Sequence, residues 1–179
     1  QLLRRLSLAR GLPLSLSLLG NTLVRGLSVE VLTTSTPRLM LLSSGLTTPE
    51  LEGTFKRLLS EATPKGADPK ITMIVTGQMA ESNESLEGES ASKRSPGERR
   101  RRRWADATKK GRVLASQLGV AVGCVDCAKM QGDELAQAMA DAHCIWVTGG
   151  NTWFLWHHMK ASGLDALVRE RVAAGALYV

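Results

Sequence analysis

Ile145-Trp-Val-Thr-Gly-Gly-Asn-Thr-Trp-Phe-Leu-Trp-His-His-Met-Lys-Ala-Ser-Gly-Leu164 and, ten residues on, Ala174-Gly-Ala-Leu-Tyr-Val179 decide the fold of this chain. The first stretch reads as a strand, a glycine turn and a helix. Gly163 separates that helix from a second one, and Ala176–Val179 begins another strand. A strand, a tight turn and a helix returning to a strand is a βαβ unit. Its two strands lie parallel, and its crossover is right-handed.

The upstream sequence repeats the alternation. Leu39-Met-Leu-Leu42 is an apolar run closed by Ser43-Ser44-Gly45 and reads as a buried parallel strand. Thr48-Pro49-Glu50 opens a helix, with Thr48 as cap, Pro49 in the first turn and Glu50 and Glu52 facing the positive end of its dipole. Leu51, Phe55, Leu58 and Leu59 give its apolar face. Ile71–Val75 and Val120–Val125 read as further strands. A helix from about Trp104 to Leu118 lies between them, with Ala107, Val113, Leu114 and Leu118 inward and Gly119 as its stop. Asp133–Ala140 is a short helix ahead of the strand Cys144–Thr148. The whole predicts an α/β fold with a parallel sheet and helices on both faces. A flavodoxin-like strand order, 2-1-3-4-5, is the simplest arrangement.

Two segments stand apart by composition. Residues 1–37 are rich in Leu, Ser and Arg and nearly free of acids, the pattern of an organelle transit peptide or of an untrimmed or mistranslated leader without a role. The folded domain is expected over 38–179. Within it, about 78–98 is polar and biased and predicts a mobile insertion. The chain opens on Gln1 and stops inside a strand at Val179, so both ends are expected to continue, and the sheet to be C-terminally incomplete. A strand cut short there is expected to leave an exposed sheet edge.

The net charge is +6, but the leader and the block Arg99–Arg103 supply it, and the remainder is close to neutral. Without interleaved aromatics beyond Trp104, the block reads as a solvated charge run at the end of the insertion, and nucleic acid is not expected as a partner. No apolar run approaches the ~18 residues of a membrane span, so no membrane partner is expected. Cys124, Cys127 and Cys144 suit a reducing compartment. Their spacing hints at zinc, but Cys127 follows one parallel strand and Cys144 begins the next, so buried inert thiols and no metal are the expectation.

The candidate site is Gly149-Gly150-Asn151, at the C-terminal end of a parallel strand, where open α/β sheets bind ligands. Glycines let a ligand approach the backbone, and Asn151 can cap the next helix. Donors fixed in this way suit an oxyanion hole. The stretch from Ile145 to Val179 resembles, without gaps, the serine peptidases of the dipeptidase E (alpha-aspartyl dipeptidase) and cyanophycinase type. These carry a Gly-Gly-Asn-Thr or Gly-Gly-Asp turn and a Gly-Ala-Leu-Tyr segment running into a Gly-x-Ser-Ala-Gly nucleophile elbow. The resemblance extends more diffusely back to Arg38, and Thr148 stands where the dipeptidases tend to have a third glycine.

This resemblance implies a class I glutamine amidotransferase-like fold and hydrolysis of short peptides, including those with an acidic N-terminal residue, through an acyl-enzyme. It implies no cofactor. Gly150 maps onto the oxyanion donor, while the nucleophile and base map beyond Val179, which predicts that these 179 residues alone are inactive. His143, His157 and His158 match no catalytic position, and Ser43 matches a serine common after the first strand without an assigned role. Trp153, Trp156 and Met159 or Lys160 recur at helical spacing and read as a packing stripe. A non-catalytic α/β binding domain and a cysteine-elbow, amidotransferase-like hydrolase are the alternatives. The compartment is not legible in the sequence; the expectation is cytoplasmic, or mitochondrial or plastid if the leader is a transit peptide. The oligomeric state and the substrate-binding residues are not legible.

Overall fold

A computed structural model of the chain describes residues 37–80 and 95–179. Five parallel strands form one sheet: β1 (Arg38–Leu39), β2 (Lys70–Ile74), β3 (Ala121–Val125), β4 (Cys144–Val147) and β5 (Leu177–Tyr178). The helices are α1 (Pro49–Ala62), α2 (Pro96–Leu118), α3 (Gly132–Ala140), α4 (Thr152–Ser162) and α5 (Leu164–Ala173), with a 3-10 turn at Thr76–Met79. The α/β class and the parallel sheet agree with the sequence reading.

Alternation along the strands builds two cores. Ile71, Met73 and Val75 of β2 and its C-terminal end pack with Phe55 and Leu59 of α1 and Ala107 of α2. Ile74, one residue out of phase, packs with Leu135 and Met139 of α3 and Leu164 and Val168 of α5. Successive strand side chains point to opposite faces, so both faces need apolar residues and both are covered.

The strand order corrects the expectation. It is β1-β5-β4-β2-β3. β2 takes the position expected for the first strand, with β3 outside it, and β1 crosses to the far edge beside β5. Only Arg38 and Leu39 pair, Met40 is the residue turned inward, and Leu39 and Leu41 are 59% and 78% exposed. Four apolar residues signal burial locally but carry no information on which strand they will join. This placement also overturns the expected bare edge: β5 is paired on both sides, by β4 and β1. The Met40 N–H donates to the Tyr178 carbonyl at 2.9 Å.

Helix α2 starts eight residues before the expected Trp104. Ser95 caps it, accepting from Glu98 N–H while Glu98 returns a bond to Ser95 N–H, a reciprocal capping box ahead of Pro96. Within the expected insertion, Gln78 and Met79 therefore belong to the 3-10 turn and Pro96–Glu98 to the start of α2, while 81–94 and the leader segment 1–36 lie outside the described residues. Thr48 caps α1 as expected, and Gly119 ends α2 in the left-handed conformation at φ 68°. Gly111 lets α2 approach the sheet, because a Cβ there would meet Cys124 Sγ at 3.1 Å. Val113, expected inward, is exposed.

Candidate active site

The turn after β4 is locked to the segment after β2. Gly150 has φ 141°, a region open to glycine, and a Cβ there would lie 2.3 Å from the carbonyl carbon and oxygen of Gly77. The Asn151 N–H donates to that same Gly77 carbonyl at 2.9 Å. Asn151 Oδ1 accepts from Phe154 N–H at 2.9 Å and caps α4. Thr148, in place of a further glycine, donates both its N–H and its hydroxyl to the Ile74 carbonyl at 3.0 Å. Among the described residues, no hydrogen bond uses the N–H of Gly149 or Gly150, and both glycines are exposed. The turn thus offers open backbone donors beside the N-terminus of α4, where negative charge is favoured.

Beneath it, the segment after β2 is braced from the other side. The buried Thr76 hydroxyl accepts from Cys127 N–H at 2.9 Å and bonds Cys127 Sγ at 3.2 Å. Arg103 donates to the Ala80 carbonyl, and Arg100 pairs with the buried Asp126, which follows β3. The arginine block is therefore not the solvated run expected from sequence. It lies inside α2, and Arg100 and Arg103 anchor the loops after β3 and β2 respectively, because one helix face turns them toward the sheet top.

A cleft of about 760 Å³ opens at the C-terminal ends of β2, β4 and β5. It is lined by Thr148 and Gly149 of the turn, by Met73, Trp146 and Val179 from the strands and their ends, by Ser43 and Ser44, and by residues of α2. Ser43 thus reaches the cleft. The α2 wall carries Asp106, Lys109 and Lys110, which sequence reasoning passed over because charges on a helix usually mark only a solvated face. The sole available signal was their spacing at three and four residues, which places them on one side.

None of the three histidines lines the cleft. His143 Nδ1 accepts the Lys70 N–H at 3.1 Å, at the N-terminal ends of β2 and β4 and so at the opposite end of the sheet from the turn. Burial, then the nearby Arg171 guanidinium, lowers its pKa. His158 meets Phe154 with ring centroids 4.4 Å apart and planes tilted by 57°, and burial, then His157, lowers its pKa. The packing stripe on α4 is not found: Trp153 and Trp156 are 79% and 57% exposed and meet each other edge to face. Of the expected stripe, Met159 does pack against the second core, and its α4 partner there is Leu155 rather than either tryptophan. Burial pushes the Cys144 thiol up to about 12 and raises Cys124 and Cys127 as well, so none is a thiolate near neutrality. Among the described residues, no group of three or more His, Cys, Asp or Glu side chains could hold a metal ion.

Residues 100–179 match the model of peptidase family S51. An uncharacterized peptidase of Listeria innocua serovar 6a is 39% identical over 69 residues, 38% of this chain and 33% of that protein. An uncharacterized peptidase of Listeria monocytogenes serovar 1/2a is 38% identical over 69 residues, 38% of this chain and 34% of that protein. The chain is also similar in fold to the crystal structure of a peptidase from an acI-B1 Actinobacterium, at a TM-score of 0.56 and 20% identity, over 78% of this chain and 51% of that one. The matched segment spans about a third of the length of these curated relatives.

Proposed function

We propose that this chain, which through residues 100–179 is a member of peptidase family S51, supplies the oxyanion half of a serine-type exopeptidase site. The observation that carries the reading is the Gly149–Gly150 turn, whose N–H groups are unengaged among the described residues and whose Gly149, next to Gly150, borders a peptide-sized cleft that Val179 also lines. A residue following Val179 would emerge at that cleft, beside the turn. In this reading a serine there attacks the peptide carbonyl. The carbonyl oxygen takes up negative charge and is held by Gly150 N–H and by the N–H of the residue after the serine. A histidine further along removes the serine proton and returns it to the leaving amine. Water then releases the acyl group by the same route. Gly150 serves because its own N–H is open while the neighbouring Asn151 N–H is committed to Gly77.

The test is labelling of the full-length protein with a fluorophosphonate, alongside hydrolysis of short peptides. The expected result is peptide hydrolysis that the reagent abolishes, with a single modified serine located after Val179. Labelling of the 179-residue chain, or hydrolysis that resists the reagent and yields to a thiol alkylator, overturns the reading.

A further inference from the structure

The geometry points to Lys109 and Lys110 of α2 as the pair that holds a carboxylate of the substrate, an assignment that rests on the peptidase reading for the ligand being a short peptide. Both lysines and Asp106 line the cleft that Gly149 borders, and all three are exposed. No ion pair among the described residues involves any of the three. Elsewhere on the surface, Lys56 and Lys160 each sit 2.6 Å from a carboxylate oxygen and Lys70 sits 3.8 Å from one. The lysines in the cleft are thus available to a ligand.

The rest of the lining is neutral: hydroxyls from Ser43, Ser44 and Thr148, amides from Gln78 and Gln117, and apolar side chains that include Met73 and Trp146. Two ammonium groups against one carboxylate leave the cleft with a positive balance. The apolar floor lowers the local dielectric and lengthens the reach of that charge. A volume of about 760 Å³ suits a ligand of a few residues. Such a peptide offers a carboxylate at its C-terminus, and an acidic side chain offers another. Both present the same chemistry to a lysine pair.

The experiment measures binding separately from cleavage. Ketomethylene analogues of aspartyl-leucine, aspartyl-leucinamide, alanyl-leucine and alanyl-leucinamide, which cannot be cleaved, are titrated into the full-length protein by calorimetry. Carboxylate-bearing analogues should bind about tenfold more tightly than their uncharged counterparts, as expected for a charge-assisted contact. Lys109→Met/Lys110→Met should abolish that preference while leaving the melting curve unchanged. If alanyl-leucine outbinds alanyl-leucinamide, the terminal carboxylate is the one held. If aspartyl-leucinamide outbinds alanyl-leucinamide, it is the side chain. Equal binding of all four analogues, absence of binding, or a preference that survives the double substitution overturns the assignment. Carboxylate-selective binding without hydrolysis of aspartyl-leucine and alanyl-leucine would leave this assignment standing and sink the peptidase reading.

Discussion

Gly150 and Gly77 touch, yet they differ in what they tolerate. At Gly150 a methyl group would lie 2.3 Å from the Gly77 carbonyl, on a backbone at φ 141° that L side chains rarely adopt. At Gly77 it would meet Asn151 O, Gly149 O and Gly150 Cα at 3.6 Å, an ordinary contact. Gly150→Ala should therefore lower unfolding free energy by about 1–3 kcal/mol, the usual cost of forced backbone strain. It should also reduce kcat of the full-length protein on short peptides by about 100-fold, as for a displaced oxyanion donor. Gly77→Ala should stay within about 0.5 kcal/mol of the parent. Urea unfolding of both variants, with peptide kinetics, checks the contrast. His143 makes a second prediction. Its Nδ1 accepts the Lys70 N–H, and its pKa lies below 6.5 because burial and Arg171 oppose the charge. The unfolded chain binds the proton more readily, so stability is full above about pH 6.5 and falls as the pH drops below it. The urea midpoint should decline between pH 7.5 and 5, and His143→Gln should flatten part of that decline. An unchanged slope would remove His143 from the acid response.

Helix α2 shows how an element can carry residues of opposite importance. Its first turns hold Arg99–Arg103, which from sequence alone look interchangeable. The helix directs Arg100 toward Asp126 and Arg103 toward the Ala80 carbonyl, while Arg101 and Arg102 remain exposed. Asp126 is 3% exposed, so Arg100→Ser removes the charge partner of a buried carboxylate and leaves it the Ala128 N–H at 3.2 Å. The expected loss is about 2 kcal/mol, below the ~3–5 typical when both partners are fully buried, since the guanidinium keeps some contact with water. Arg102→Ser should change stability by less than about 0.5 kcal/mol. Thermal melts of the two variants decide the matter, and equal losses would return the block to a uniform charged run. The capping box at Ser95 and Glu98 was legible, since Ser-Pro-Gly-Glu carries the cap, the first-turn proline and the acid at fixed offsets. The polar bias of the preceding residues masked it. Helix α4 shows the reverse error: Trp153 and Trp156 have the spacing of a buried stripe, yet they face outward beside the glycine turn. Hydrophobic periodicity says that side chains share a face, not that another element covers it.

In the whole molecule, the sheet brings the ends of β2, β4 and β5 to one cleft and leaves α2 as its wall. The alternation of strands and helices, the caps at Thr48 and Asn151, the stop at Gly119 and the Gly149-Gly150 turn were all readable along the chain. Each depends on residues within a few positions of one another, through backbone propensity and short-range hydrogen bonds. The α/β class and the candidate turn followed from those signals. Three features did not. β1 lies beside β5 because of hydrogen bonds between residues more than a hundred positions apart. Gly150 is the indispensable member of its pair because Gly77, after another strand, packs against it, whereas a Cβ at Gly149 would meet nothing within 4 Å. Lys109 and Lys110 face the cleft only because α2 crosses the sheet where it does. Local chemistry fixes which elements form and where they stop. Which surfaces meet is set by long-range pairing and packing, and those contacts leave no local periodicity to read.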